Sequence, residues 1–253
     1  MQRWCEKVAV VTGASAGIGQ AIAHKLVANG MQVVGLARRQ ERLDELEEKL
    51  SGLKGKFFGR KTDVSKKEDI IDALQWTTKN VGPPSLLVNN AGIISNGPVL
   101  GGDLDGWKAL FDTNIYGLAV ATSEVLKIMK ENNIDDGHII NINSICGHRT
   151  LQLPDQNVYP ASKYAVTAFT EVTRKELAAA KSKIRVTSIS PGLVHTEIFA
   201  EDKIPPGSLL TSFLKTNPIL QSEDVADAVI FAVGSPAHVQ ISELTIQPTG
   251  EMF

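Results

Sequence analysis

The stretch Val8-Ala9-Val10-Val11-Thr12-Gly13-Ala14-Ser15-Ala16-Gly17-Ile18-Gly19 decides the reading of the chain. Its opening apolar run is short and closed by Thr12-Gly13, the pattern of a strand buried on both faces. From Gly17 onward apolar residues recur at helical spacing (Ile18, Ile22, Leu26), and Gly30 stands where a helix C-cap belongs. The three glycines fall as G-x-x-x-G-x-G at a strand-to-helix turn. Glycine there lets the backbone approach a pyrophosphate whose charge rests on the helix N-terminus. Spacing alone also suits an ordinary glycine-rich turn. The place between a first strand and a first helix favours the nucleotide.

Working outward, strand and helix patterns alternate. Strands are expected over 32–37, 56–62, 85–88, 138–143, 183–190 and 243–247. Helices are expected over 41–50, 65–80, 103–130, 157–180 and 223–233. Such alternation implies right-handed crossovers between parallel strands. The fold class is therefore α/β: a single doubly wound (Rossmann) domain over 1–253, its mainly parallel sheet covered by helices on both faces. The irregular region 195–218, with Pro205-Pro206-Gly207 at its centre, is expected to be a mobile substrate loop within that domain. A surface insertion is the plainer alternative.

Composition removes several function classes. The 253 residues carry 26 Lys+Arg against 28 Asp+Glu, net −2, without a basic block, so nucleic acid is not an expected partner. No apolar run reaches the ~18–20 residues of a membrane span, and the N-terminus lacks a secretory pattern. Two cysteines, Cys5 and Cys146, make neither a disulfide framework nor a cysteine-rich metal site, and a reducing, cytoplasmic compartment is expected. The five histidines form no i,i+4 pair, so no metal is expected.

The second strand ends Leu36-Ala37-Arg38-Arg39. A site for NAD usually places Asp or Glu there to hold the ribose 2′-OH. Here the acid is missing and two guanidiniums follow, whose planar fork matches a 2′-phosphate. NADP(H) is the cofactor expected. The alternative leaves Arg38 and Arg39 as solvated charges opening the next helix.

Tyr159-Pro160-Ala161-Ser162-Lys163 sets a phenol and an ammonium on one face of a helix start. A free phenol titrates near pH ~10, and lowering that by ~3 units needs about 4 kcal/mol. A cation ~4 Å away at an effective dielectric of ~20 supplies about that much. Lys163, helped by an oxidised nicotinamide, is thus expected to make Tyr159 a proton donor or acceptor near neutrality. A surface Tyr–Lys pair is the alternative, whereas Tyr116 and Tyr164, with no Lys at +4, read as core or packing residues. Ser144 closes the isoleucine-rich strand, where a carbonyl-binding hydroxyl belongs; simple strand-end capping would serve equally. No serine lies in a G-x-S-x-G elbow, which argues against hydrolysis.

In order, Thr12-Gly13-x-x-x-Gly17-Ile18-Gly19, Asp63-Val64, Asn89-Asn90-Ala91-Gly92, Asn114, Ser144, Tyr159-x-x-x-Lys163 and Pro191-Gly192-x-x-x-Thr196 resemble the short-chain dehydrogenase/reductase family along essentially the whole chain. The resemblance implies that Tyr159 is the general acid/base and that Lys163 lowers its pKa and holds the nicotinamide ribose. It implies that Ser144 binds the substrate oxygen and that Asn114 holds a water in a proton relay. The cofactor would meet Gly13, Ser15, Gly17, Ile18 and Gly19 at the phosphates, and Arg38 and Arg39 at the 2′-phosphate. Asp63 and Val64 would contact adenine, Asn90, Ala91 and Gly92 a ribose wall, and Pro191, Gly192, Val194 and Thr196 the carboxamide. A homodimer or homotetramer, built on the helices beginning near Asp103 and Asn157, is implied too.

Two departures carry information. Ala16 replaces a basic residue common in NADP-using relatives, so the cofactor expectation rests mainly on Arg38. Ser144 and Tyr159 stand 15 apart where many relatives have 13. That spacing, with Asp135 to Ser144 and Gly147-His148-Arg149, resembles a subgroup acting on steroids and isoprenoids, the arthropod farnesol dehydrogenase-like enzymes among it. The implied activity interconverts a carbonyl and an alcohol on a bulky apolar substrate, first a ketosteroid, alternatively farnesol. The apolar Ile198, Phe199, Leu209, Leu210 and Phe213 would cover such a molecule. A non-catalytic NADPH-binding protein is the rival class.

Overall fold

Seven strands, β1 (Val8–Thr12), β2 (Gln32–Ala37), β3 (Lys56–Lys61), β4 (Pro84–Asn89), β5 (His138–Ile142), β6 (Arg185–Pro191) and β7 (Glu243–Ile246), pair in the order β3-β2-β1-β4-β5-β6-β7. Every pairing is parallel. The computed structural model describes residues 1–95, 97–151, 157–197 and 218–251. Between the strands run α1 (Gly17–Ala28), α2 (Gln40–Leu50), α3 (Lys67–Asn80), α4 (Leu104–Phe111), α5 (Leu118–Glu131), α6 (Tyr159–Ala179) and α7 (Ser222–Gly234).

Because side chains alternate across a strand, each strand feeds two cores. Ala9 and Val11 join the layer of Ile22, Leu26, Leu43, Leu46 and Val229 from α1, α2 and α7. Val10 faces the opposite layer, with Ile70 and Leu74 of α3 and Val125 and Met129 of α5. One sheet covered on both faces is a single Rossmann-like domain, as the alternation requires.

Most element bounds lie within two residues of their expected places. One expectation needs correction. The helical run 103–130 is divided by a wider, π-pitched turn over Asp112–Gly117, which separates α4 from α5 and carries Asn114. Such turns concentrate at functional sites. Most of the expected loop, 198–217 with Ile198, Phe199, Leu209, Leu210 and Phe213, lies outside the described residues.

Strand order reverses between β1 and β4, which run to α1 and to the segment beginning at Asn90. In open parallel sheets the crevice beyond the carboxyl ends at such a reversal receives ligands. At the amino ends of the strands, His138 is buried beside Trp4 and Arg185. Its Nε2 meets Thr187 Oγ1 at 2.8 Å, and that hydroxyl itself donates to the Ile241 carbonyl at 2.7 Å. Nε2 therefore carries the proton, and Nδ1 has no partner among the described residues. The Arg185 guanidinium beside it donates to the carbonyls of Ala232 and Val233 at the end of α7.

Candidate active site

A cavity of about 460 Å³ opens at that reversal. Its glycine loop is shaped by conformation: Gly13 (φ +68°) and Gly17 (φ +53°) lie in the left-handed region. A methyl on Gly13 would sit 2.9 Å from Ala91 Cα, and one on Gly19 would strike the Gly13 carbonyl. The loop is tied to the β4 exit. Asn90 and Ala91 donate their backbone N–H groups to Thr12 Oγ1, both at 3.0 Å. The Asn90 side chain donates to the Thr12 carbonyl at 2.9 Å. The N-terminus of α1 borders the cavity through Gly17 and Ile18, a setting suited to an anion.

At the end of β2, Arg38 and Arg39 both border the cavity, but they are not alike. The Arg39 fork is engaged, donating to Ser15 Oγ at 3.1 Å and to Glu197 Oε2 at 3.0 Å. Glu197 also pairs with Arg42. Arg38 is exposed, and its charge acts on Asp63. Burial pushes the Asp63 carboxyl up. The Ser65 hydroxyl and backbone N–H, then Arg38 and Lys66, outweigh it and hold the group below its ordinary value.

The catalytic candidates meet in the same wall. Ser144, Tyr159 and Lys163 line the cavity, together with Cys146. Ser144 Oγ accepts the Cys146 N–H at 3.1 Å, so strand-end capping and a place in the cavity coexist in one residue. Lys163 Nζ donates to the Ile142 carbonyl at 3.1 Å. The protein's own groups leave Tyr159 raised rather than depressed. Nζ lies 5.9 Å from the phenol ring centre, and burial pushes the phenol up, with the Cys146 thiol adding to the rise and the Ser144 hydroxyl opposing it. Burial also pulls Lys163 down to about 8. Removing each group from water penalises its charged form, and no ion pair between the two outweighs that cost. The Cys146 thiol is raised by burial as well.

Asn114 does not line the cavity but stands behind it, nearly fully buried. Its Oδ1 accepts the Ile93 N–H at 2.8 Å, while Nδ2 donates to the Ile93 carbonyl at 2.9 Å and to Ser162 Oγ at 3.2 Å. Gly19 is likewise a packing glycine under the loop. The other candidates, Gly13, Ser15, Gly17, Ile18, Asp63, Val64, Asn90, Ala91, Gly92, Pro191, Gly192, Val194 and Thr196, all border the cavity. Tyr116 and Tyr164 are corrected: at 47% and 44% exposure they face outward rather than into a core.

Several features escaped the sequence reading. Buried asparagines pin the strand ends to α5 and α6. Asn89 Nδ2 reaches Thr122 Oγ1 and Asn141 Oδ1, Asn141 Nδ2 reaches Thr170 Oγ1, and Asn143 Nδ2 reaches Thr167 Oγ1, at 2.8–2.9 Å. Asparagine inside a strand carries no sequence signal for this use, since it marks turns in general. Glu197 has none either, 158 residues from Arg39. The residues present fit a dinucleotide: one cavity is lined both by Arg38 and Asp63 and by Ser144 and Tyr159, and its glycine cradle would be filled by a Cβ.

Among known proteins, the short chain dehydrogenase pattern matches residues 7–205. The chain is 48% identical to a farnesol dehydrogenase of Aedes aegypti, with all of both chains covered. It is 42% identical to dehydrogenase/reductase SDR family member 11 of Homo sapiens, covering 100% of this chain and 98% of that one. Among solved structures it resembles the closed form of a serine dehydrogenase complexed with NADP+ (34% identity, TM-score 0.86, 97% and 96% covered). It also resembles a short chain dehydrogenase/reductase of Burkholderia phymatum in complex with NAD (26%, TM-score 0.84, 97% and 90% covered). By that pattern match and those full-length identities, this chain belongs to the short-chain dehydrogenase/reductase family of oxidoreductases.

Proposed function

We propose that the protein is an NADP(H)-dependent oxidoreductase interconverting a bulky apolar alcohol and its carbonyl compound. One observation carries the reading: a single cavity is lined both by Arg38, with no acid at the end of β2, and by Ser144, Tyr159 and Lys163. Solved relatives are described with NADP+ and with NAD, so the preference rests on Arg38. Its guanidinium would hold the 2′-phosphate, Asp63 and Val64 the adenine, and the glycine loop with the α1 N-terminus the pyrophosphate. Pro191 to Thr196 flank the nicotinamide. When bound, that group supplies or accepts the hydride.

The chain's own residues hold the substrate and move the proton. Ser144 Oγ accepts the Cys146 N–H, and its hydroxyl, beside the Tyr159 phenol, binds the substrate oxygen. Tyr159, kept neutral by burial, donates its phenolic proton to the oxygen of a carbonyl being reduced. Lys163 stays charged below pH about 8 and favours the phenolate that results. Asn114 fixes the Ile93 wall behind them. Ile94, Ile145, Leu151 and Leu193 give the wall its apolar character, which suits an isoprenoid or steroid.

Between these substrates, likeness to a farnesol dehydrogenase at 48% identity favours an isoprenoid alcohol such as farnesol, with a ketosteroid the second reading. A cytoplasmic homodimer or homotetramer is part of the proposal, supported by outward-facing Tyr116, Tyr164 and Val172 on the expected helices. The deciding experiment measures NADPH and NADH oxidation against farnesal, a 17-ketosteroid, a 3-ketosteroid, an ecdysteroid ketone and an α-dicarbonyl. NADPH-linked turnover of farnesal or a steroid supports the proposal. NADH-linked turnover overturns the cofactor assignment, and tight NADPH binding with silence across the panel points to a binding protein instead.

A further inference from the structure

We propose that Asn157 is a positioning residue that fixes Tyr159 against the segment leaving β4; this rests on the acid/base reading of Tyr159. Asn157 holds φ +38°, in the left-handed region where non-glycine residues are uncommon and asparagine is among the most tolerant. Its side chain is used in both directions. Oδ1 accepts the backbone N–H groups of Val158 at 2.5 Å and Tyr159 at 3.3 Å, while Nδ2 donates to the Ser95 carbonyl at 2.6 Å and to Ser95 Oγ at 3.3 Å.

The need for this arrangement follows from the helix start. The first N–H groups of a helix have no partner within it, and Pro160 contributes none. Asn157 caps the Tyr159 N–H at the helix start and the Val158 N–H just before it, while gripping Ser95 in the cavity wall. A second bridge lies one turn on. Asn114 joins Ile93 to Ser162 Oγ, and Ser162 Oγ donates to the Tyr159 carbonyl at 2.8 Å. The first turn of α6 thus hangs from residues 93–95 by two supports. Loss of the Asn157 support leaves the turn free to pivot about Ser162, carrying the phenol out of line with Ser144. Strained backbone held by its own side chain at a reacting group is the expected form of such a device.

The test compares Asn157→Gly, Asn157→Ala and Asn157→Asp in the full chain. Glycine keeps the left-handed backbone without strain, alanine loses both, and aspartate keeps the acceptor while losing the donor to Ser95. A 1 Å misplacement is enough to cost about a hundredfold, so kcat is expected to fall roughly ten- to hundredfold in both Gly and Ala variants, and by a smaller factor in Asp, with the NADPH Kd unchanged within about twofold. Wild-type kcat in the glycine variant overturns the proposal by reducing Asn157 to a backbone role. A parallel fall of kcat and cofactor affinity overturns it by showing a general structural role. Tyr159→Phe separates the two levels: if that variant keeps its turnover the acid/base reading fails, and if it loses turnover while the Asn157 variants keep theirs, only the positioning role fails.

Discussion

Lys163 Nζ stands 5.9 Å from the centre of the Tyr159 ring and spends its hydrogen bond on the Ile142 carbonyl at 3.1 Å. The pair is thereby set with both protons in place at neutral pH, the phenol raised and the ammonium drawn down to about 8. Proton donation is the state this geometry holds ready.

Reduction and oxidation should therefore respond oppositely to pH. Carbonyl reduction needs the phenol protonated and Lys163 charged, so its rate should be level below pH about 8 and fall as pH rises through that value. Alcohol oxidation needs the phenolate and should rise with pH. Initial rates in both directions between pH about 6 and 10 check this; a reduction rate that climbs above pH 8 would contradict it.

Arg38 and Arg39 should behave differently when removed. Arg38→Ala is expected to weaken NADPH about ten- to hundredfold and to leave NADH within about twofold, because only one cofactor offers a charged partner for the fork. Arg39, held by Ser15 and Glu197, should on mutation to alanine weaken both cofactors in similar proportion. Fluorescence titration with each cofactor decides the matter. Selective loss of NADPH in Arg39→Ala would reverse the assignment.

The asparagine ladder should be costly to interrupt. In Asn141→Leu, Asn89 Nδ2 loses one acceptor and Thr170 Oγ1 its donor, both in the buried interior. A stability loss of about 2–3 kcal/mol is expected, with a matching drop in denaturant midpoint. An unchanged midpoint would show the ladder to be energetically neutral.

Acid should destabilise the fold through His138. Burial, then Arg185 and Arg3, hold this imidazole well below its ordinary value, so the folded protein keeps it neutral. The unfolded chain takes up a proton below pH ~6.5 and the folded one does not, so stability is present above that pH and is lost as pH falls, by up to ~1.4 kcal/mol per unit. Denaturant melts of wild type and His138→Gln from pH ~7 to 5 measure the difference, and equal slopes would remove His138 from the account.

Much of this was legible in the sequence, for identifiable reasons. The residues of β2 matched 32–37 because an apolar run bounded by Gly30-Met31 and Arg38 admits no other register. The glycine loop and the Tyr159–Lys163 spacing were legible because backbone conformation and helical geometry act over a few residues. Asn114 could be placed in the site only by resemblance, since a π-pitched turn leaves the apolar spacing of 103–130 almost undisturbed. The balance of forces at Tyr159 was not legible. It depends on burial from both sides, which spacing along one helix does not report. Tyr116 and Tyr164 misled because an aromatic on a helix reads alike whether it faces a core or the outside.

The strand order has a kinetic consequence. β1 finds its second neighbour only in β4, and Asn90 must arrive beside Thr12, 78 residues earlier in the chain, before the glycine loop has a wall to rest against. Closing so long a loop is unfavourable until many contacts form together, so parallel sheets of this order assemble slowly. During synthesis β1 must wait, one hydrogen-bonding edge unpaired, for a segment made much later. A chain stalled before residue 84 would hold the glycine loop, Arg38 and Asp63 but not the Asn90 wall against which the loop rests.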